Sequence, residues 1–236
     1  MRKENLLKSR YIIYLVLLLF FVACSKDNEL FSESSPVVVT HDGKLSGRLK
    51  HGKEIEAEDG DRNSWFVGEA VVNEVDKIDI TLRKSPTNQF HLGCSGVNNG
   101  VFSLNLKNPP EEYFRSIDEF IYIDKEGLTI SEPNANMFDY LYPELYKDGS
   151  PIGTIRLASG VNKSVYYNII YVDRDVSITG TYVYLHYFNV EYNVYFKKGW
   201  NVVATSHNFD EESTTKTYMF NTINDYQELD WVYLLK

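Results

Sequence analysis

The chain has 236 residues and carries 24 Lys and Arg against 33 Asp and Glu, a formal charge of −9. A chain this acidic, with no dense basic patch, lacks the cations that release phosphate counterions, so nucleic acid is a poor partner for it. With 18 Tyr, 13 Phe and 3 Trp, the composition suits pleated, half-buried surfaces and leans toward sheet.

The first ten residues, MRKENLLKSR, hold Arg2, Lys3, Lys8 and Arg10 against one acid, Glu4. An apolar run from Tyr11 to Val22 follows, and Phe21-Val22-Ala23-Cys24 closes it. A basic end, an apolar stretch and a small residue before the cut are the three parts of a secretory signal. The run falls short of the roughly 20 apolar residues that span a bilayer. Val22-Ala23-Cys24 resembles the lipobox of bacterial lipoproteins, with Phe21 standing where Leu is commonest. That resemblance implies that residues 1–23 are removed and that Cys24 is acylated and becomes the new N-terminus. The next five residues, Ser25-Lys26-Asp27-Asn28-Glu29, are similar to the surface-export signal of Bacteroidota lipoproteins. Together the two resemblances imply an outer-membrane lipoprotein facing outward, with a periplasm-facing domain as the alternative. Each buried methylene contributes roughly 0.8 kcal/mol, so two or three acyl chains hold a domain on a membrane without a spanning segment. A plain cleaved signal and a retained N-terminal anchor are the competing readings. Loss of residues 1–23 makes the mature part more acidic still, and acylation of Cys24 leaves no cysteine pair for a disulfide framework. Cys94, in His91-Leu92-Gly93-Cys94-Ser95-Gly96, reads as a buried structural thiol.

Residues 24–36 are Ser-rich and acidic and read as a flexible tether; residues 37–236 read as one β-rich domain. Short apolar runs then alternate with turn signals. Val37–Val39, Lys44–Leu49, Trp65–Val72, Lys77–Arg83 and Val101–Leu106 read as strands, the last two with strict alternation. One short helix is predicted over 109–118, with Asn108 as N-cap, Pro109 in the first turn and Glu111 completing a capping box. Tyr113, Ile117, Phe120 and Ile121 would share its apolar face, and Glu119–Ile123 is a candidate for the following strand. A lobe boundary near residues 108–125 is the alternative to a single domain. Asp148-Gly149 joins the predicted strands Glu144–Lys147 and Ile152–Ala158. Ser164–Val172, Val176–Ile178, Thr181–Phe188, Glu191–Phe196, Trp200–Thr205, Thr217–Asn221 and Leu229–Leu235 complete a set of roughly a dozen strands at sandwich spacing. The fold expected is an antiparallel β-sandwich, with a β-barrel or two small β-lobes as alternatives. Tyr171-Val172-Asp173-Arg174-Asp175-Val176-Ser177-Ile178-Thr179-Gly180 and Phe196-Lys197-Lys198-Gly199-Trp200-Asn201 resemble stretches of uncharacterised Bacteroidota lipoproteins. This second resemblance implies a β-rich envelope protein and carries no activity with it.

Motifs for chemistry are scarce. Asp59-Gly60-Asp61-Arg62-Asn63 spaces side-chain oxygens as a calcium loop does, yet Ser64 replaces the required Gly and Ala70 the bidentate Glu, so a polar turn is expected and no metal. His41, His51, His91, His186 and His207 form no zinc-like spacing; His186 is expected on a strand face beside Tyr182, Tyr184 and Phe188. The acid pairs Asp173/Asp175 and Asp76/Asp79 are the sole hint of a glycosidase. No nucleophile elbow, phosphate loop or dinucleotide fingerprint appears, so neither a catalytic residue nor a cofactor is assigned. The aromatic rows Tyr182/Tyr184/Phe188 and Tyr192/Val194/Phe196 are expected in the core, with a binding platform as the alternative. The function expected is a non-enzymatic, lipid-anchored envelope protein that binds a glycan or protein partner or serves as an accessory subunit. A fimbrial or adhesin-type structural subunit and a glycan-active hydrolase are the alternatives.

Overall fold

A computed structural model describes residues 36–55, 65–83, 89–121, 126–139, 141, 143–159, 165–184, 188–210 and 215–235. The predicted signal, Cys24, all of the tether but Pro36, and the calcium-like loop at 59–63 lie outside the described residues. Among the described residues the protein is mainly β, with one short helix and one mixed sheet that is not closed into a barrel, in keeping with the expected sandwich.

In chain order the first strands are β1 (Val38–Val39), β2 (Lys44–Ile55), β3 (Trp65–Val71), β4 (Lys77–Arg83), β5 (Gln89–Gly96) and β6 (Val101–Asn105). A 3-10 turn at Glu111–Tyr113 leads to β7 (Arg115–Ser116), helix α1 (Ile117–Phe120), β8 (Leu128–Ile130) and β9 (Asn136–Phe138). There follow β10 (Pro143–Lys147), β11 (Ser150–Ser159), β12 (Val165–Val172), β13 (Val176–Tyr184), β14 (Phe188–Phe196), β15 (Gly199–Asp210), β16 (Thr215–Ile223) and β17 (Leu229–Leu235).

Pairing divides these strands into two stretches of sheet. The first runs β3–β2–β17–β11–β10–β4–β5, with β2 parallel to β17 and antiparallel to β3. The first half of β2 turns aside to pair with β1 and β6. The second runs β9–β12–β15–β16–β14–β13–β8, with β14 parallel to β16. Leu157 of β11 opposite Tyr167 of β12 joins the two.

Each stretch encloses its own core, and β12 and β15 serve both. Ile169, Tyr171, Trp200 and Val202 face the first core, while Ile170, Val172 and Val203 face the second. Strands buried on both faces must be apolar on both, which explains the unbroken run Ile169-Ile170-Tyr171-Val172. In β14 the second core takes alternate residues: Val190, Tyr192, Val194 and Phe196 are buried, while Glu191, Asn193 and Tyr195 are exposed.

Five sequence expectations are corrected. The helix expected over 109–118 is divided, because its apolar residues belong to different cores. Tyr113 and Phe114 pack against the first, Ile117 and Ile121 lie in the second, and the extended residues Phe114–Ser116 carry the chain across. Asn108 makes no capping box for it; Ser116 is the N-cap, accepting from the Glu119 amide at 3.2 Å. Glu119–Ile121 therefore ends a helical turn and begins no strand, while residues 122–123 lie outside the described set. Val176–Ile178 and Thr181 onward form one strand, β13. At Gly180 φ is +121°, and a Cβ would stand 2.1 Å from the Gly127 carbonyl oxygen. The glycine that reads as a break is the place where β8 approaches. That strand also stops sooner than expected. Tyr184 is the antiparallel partner of Phe188, the first residue of β14, and His186 lies outside the described residues.

Candidate binding face

The aromatic residues that might have lined a cleft are mostly core. Trp200 and Trp231 are each 1% exposed, and the Trp231 indole Nε1 donates to the Ser46 carbonyl at 2.9 Å. In the second core Tyr182 stacks on Tyr192 and Tyr192 on Phe220, at 6.3 and 4.7 Å between ring centres. Burial, and secondarily Tyr182, pushes the Tyr192 phenol far above its ordinary value. The side chains of Trp65 and Tyr184 lie outside those described.

The opposite face of β13, β14 and β16 is polar. Register places Thr129 beside Thr179, Thr179 beside Asn193 and Asn193 beside Asn221, so one row crosses β8, β13, β14 and β16. Neighbouring strands lie about 4.8 Å apart, so this row extends for about 14 Å. The Asn193 amide is 3.5 Å from the Asn221 side-chain oxygen. The adjoining row is Thr181, Glu191 and Met219. On the other side Tyr195 stands opposite Ser177 and is 60% exposed, with its backbone amide donating to Thr222 Oγ1 at 2.7 Å. Val183, at the far end of β13, is equally exposed. The sheet thus presents hydroxyls and amides, one carboxylate, one thioether and one accessible phenol ring.

The acid pairs have structural partners. Asp173 accepts from the Asn136 amide and side chain, each at 3.0 Å, and from Arg174 Nε and Nη at 3.0 Å. Burial raises its pKa, but Arg174 and Asn136 outweigh this and hold the carboxyl below its usual value. Asp175 is lowered first by the Lys198 amide and then by Lys197, which reaches it at 3.0 Å. A glycosidase pair needs one carboxyl raised to hold its proton; here both are lowered. Asp76 accepts from the Asp148 amide at 2.7 Å and so pins the β10–β11 turn.

Asp79 belongs to a polar group that the sequence alone does not reveal. A bulge leaves Leu92 unpaired in β5, so His91 stands opposite Thr81 and Cys94 opposite Asp79. Glu144 and Tyr146 of β10 flank Asp79 and Lys77 from the other side. Lys77 Nζ lies 2.6 Å from Asp79, His91 Nδ1 3.3 Å from it, and Lys77 sits 5.3 Å over the Tyr146 ring. The buried free thiol expected at Cys94 is corrected: the residue is half-buried in this group, belongs to neither core, and is disulfide-bonded.

The remaining histidines are dispersed. His41 Nδ1 contacts the Trp200 carbonyl at 2.9 Å, His51 meets Glu74 at 3.4 Å, and the His207 side chain is outside those described. Among the described residues no three His, Cys, Asp or Glu side chains are grouped to hold a metal ion. No helix among them is long and apolar enough to cross a membrane.

No protein-family model, curated protein or solved structure matches the chain.

Proposed function

We propose that this chain is a lipid-anchored cell-envelope protein, held on the outer membrane through acylated Cys24 and facing outward, whose β13–β14–β16 face binds a neutral glycan. The carrying observation is Tyr195, 60% exposed on a face that also carries Ser177, Thr179, Thr181, Glu191, Asn193, Met219 and Asn221. Hydroxyls and amides both donate and accept, which matches the hydroxyls of a sugar ring. An exposed phenol supplies the flat apolar surface on which the ring's C–H face rests. The net charge of −9 argues against a polyanionic glycan.

Affinity gels cast with neutral polysaccharides test this reading. The domain should be retarded without releasing reducing ends, and Tyr195→Ala should abolish the retardation while leaving the melting temperature in place. Retardation that survives Tyr195→Ala together with Asn193→Ala would remove this face from consideration, and release of reducing ends would make the protein a hydrolase. The anchor has a separate test, since Cys24→Ala should eliminate labelling by radioactive palmitate.

A further inference from the structure

Strand β17 is set into the sheet in an unusual way. It leaves β16 through residues 224–228 yet pairs with neither β16 nor β15. Its neighbours are β11, antiparallel from Gly153 to Ser159, and β2, parallel from Leu49 to His51. Three glycines shape the slot between them. A Cβ on Gly47 would lie 2.6 Å from the Trp231 ring, and one on Gly52 would lie 2.5 Å from Leu234 Cδ2. On Gly153 it would lie 2.3 Å from the Leu234 carbonyl oxygen. The slot is therefore cut to the bulk of Trp231, Val232 and Tyr233, which are 1%, 0% and 2% exposed. The connection is of another kind. Asn224, Asp225, Gln227 and Glu228 are exposed and Tyr226 is half-buried; two turn bonds, Gln227 N to Asp225 Oδ1 and Leu229 N to Tyr226 O, hold it in place.

We infer that the slot between β2 and β11 accepts β17 from a second copy of this chain, so that copies join by exchanging this strand. Until β17 arrives, β2 and β11 each present an unpaired edge, and an unpaired edge is a template for any strand of the right sequence. A second copy supplies the identical strand, and every contact that β17 makes within its own chain is then made again between chains. The balance between the two forms rests on association entropy and on straightening residues 224–228. The polar, exposed character of that connection makes straightening inexpensive, whereas the slot and its strand are among the most fully buried parts of the molecule. This inference is independent of glycan binding, because β17 lies in the first stretch of sheet and the polar face in the second.

Disulfide trapping tests it. Directly opposed residues of an antiparallel pair are near enough to be bridged, and Thr154 stands opposite Leu234. In mature chains with Cys24→Ser and Cys94→Ser, one preparation carries Thr154→Cys and another Leu234→Cys. The two are mixed, unfolded in guanidinium, refolded at increasing concentration and oxidised. Exchange gives a band at twice the chain mass, growing with concentration, in which mass spectrometry finds peptides joined between positions 154 and 234. A single chain carrying both substitutions should form that bond internally, which shows that the geometry permits it. If it does not, Ser159→Cys with Leu229→Cys, opposed in the same register, takes its place. An internal bond without any bond between chains at the highest concentration overturns the inference.

Discussion

The two cores hold themselves together by different means. In the first, tryptophans act as wedges: Phe102 meets Trp231 at 69° and Phe138 meets Trp200 at 90°, edge to face. The strands around them come from distant parts of the chain, β2 with β17 and β4 with β10. Phe114 also lies flat on Tyr171 in that core, at 10°. In the second core Tyr182 stacks on Tyr192 at 16° and Tyr192 on Phe220 at 13°, with Phe120 edge-on to Phe220 at 78°. Its hairpins, β13 with β14 and β15 with β16, are close in sequence. A wedge concentrates buried volume at one point, so the first core should fail by cavity formation. The second core holds the most strongly shifted phenol, Tyr192, so removing that one hydroxyl should change the response to alkali more than removing any phenol of the first.

Trp231→Ala gives the largest effect. A fully buried Trp truncated to Ala costs about 3–5 kcal/mol, a large part of the about 5–15 kcal/mol by which a domain is stable. Urea unfolding followed by circular dichroism should show the midpoint falling by that equivalent. A loss under about 1 kcal/mol would mean that the first core closes around the gap, and the wedge description would fail.

Alkaline unfolding probes the second core. Burial raises the phenol of Tyr192 in the second core far above 10.0 and, less steeply, those of Tyr167, Tyr171, Tyr226 and Tyr233 in the first. A folded pKa above the unfolded one means that the stabilisation is complete below about pH 10 and is lost as pH rises through and beyond that value. Tyr192→Phe keeps the stacked ring and removes the most strongly shifted phenol. It should flatten the loss of stability between neutral pH and pH 11, whereas Tyr233→Phe in the first core should flatten it less. Equal slopes would show that the two regions respond to alkali alike.

The same contrast governs what the sequence reveals. Tyr192, Val194 and Phe196 alternate with Glu191, Asn193 and Tyr195, and that alternation alone separates the buried from the outward face of β14. Period-two patterns survive because each hairpin is local. What fails is whatever depends on distant partners. Strand β5 contains His91, Gly93, Cys94 and Gly96, which resemble a turn until β4 is seen beside it. Gly180 looks like a strand end because nothing nearby in sequence announces that β8 will crowd it. The neighbours Asn193 and Asn221 come together through parallel pairing of β14 with β16, which no local pattern encodes. Tyr195 was therefore legible as outward-facing, but the row of amides beside it was not.

Acid supplies the smallest and sharpest comparison, because each region has a half-buried carboxylate, Asp79 or Asp173, held below its ordinary value. Burial raises Asp79, but hydrogen bonds from Lys77 and Thr81, with the charges of Lys77 and His91, lower it overall. Asp173 is likewise lowered overall, by Arg174 and Asn136 against burial. A depressed folded pKa contributes stability above the unfolded value, and that contribution is lost as pH falls through the folded pKa. Each substitution to Ala should therefore matter at pH 6 and matter less as pH falls through the folded pKa, with a cost near the about 0.2–1 kcal/mol of exposed ion pairs. Location distinguishes them. Asp173 binds the backbone of Asn136 and so holds β9, which pairs with β7 just before α1. Asp173→Ala should accelerate hydrogen exchange at Met137 and Ile117 in the second core and leave Ile78 in the first unchanged. The Asp79 side chain meets Lys77, Thr81 and His91 on β4 and β5, so Asp79→Ala should leave β9 protected. Faster exchange in both cores from either substitution would mean that the junction through β12 and β15 couples them into one cooperative unit, and the division into a wedged core and a stacked core would then describe packing but not stability.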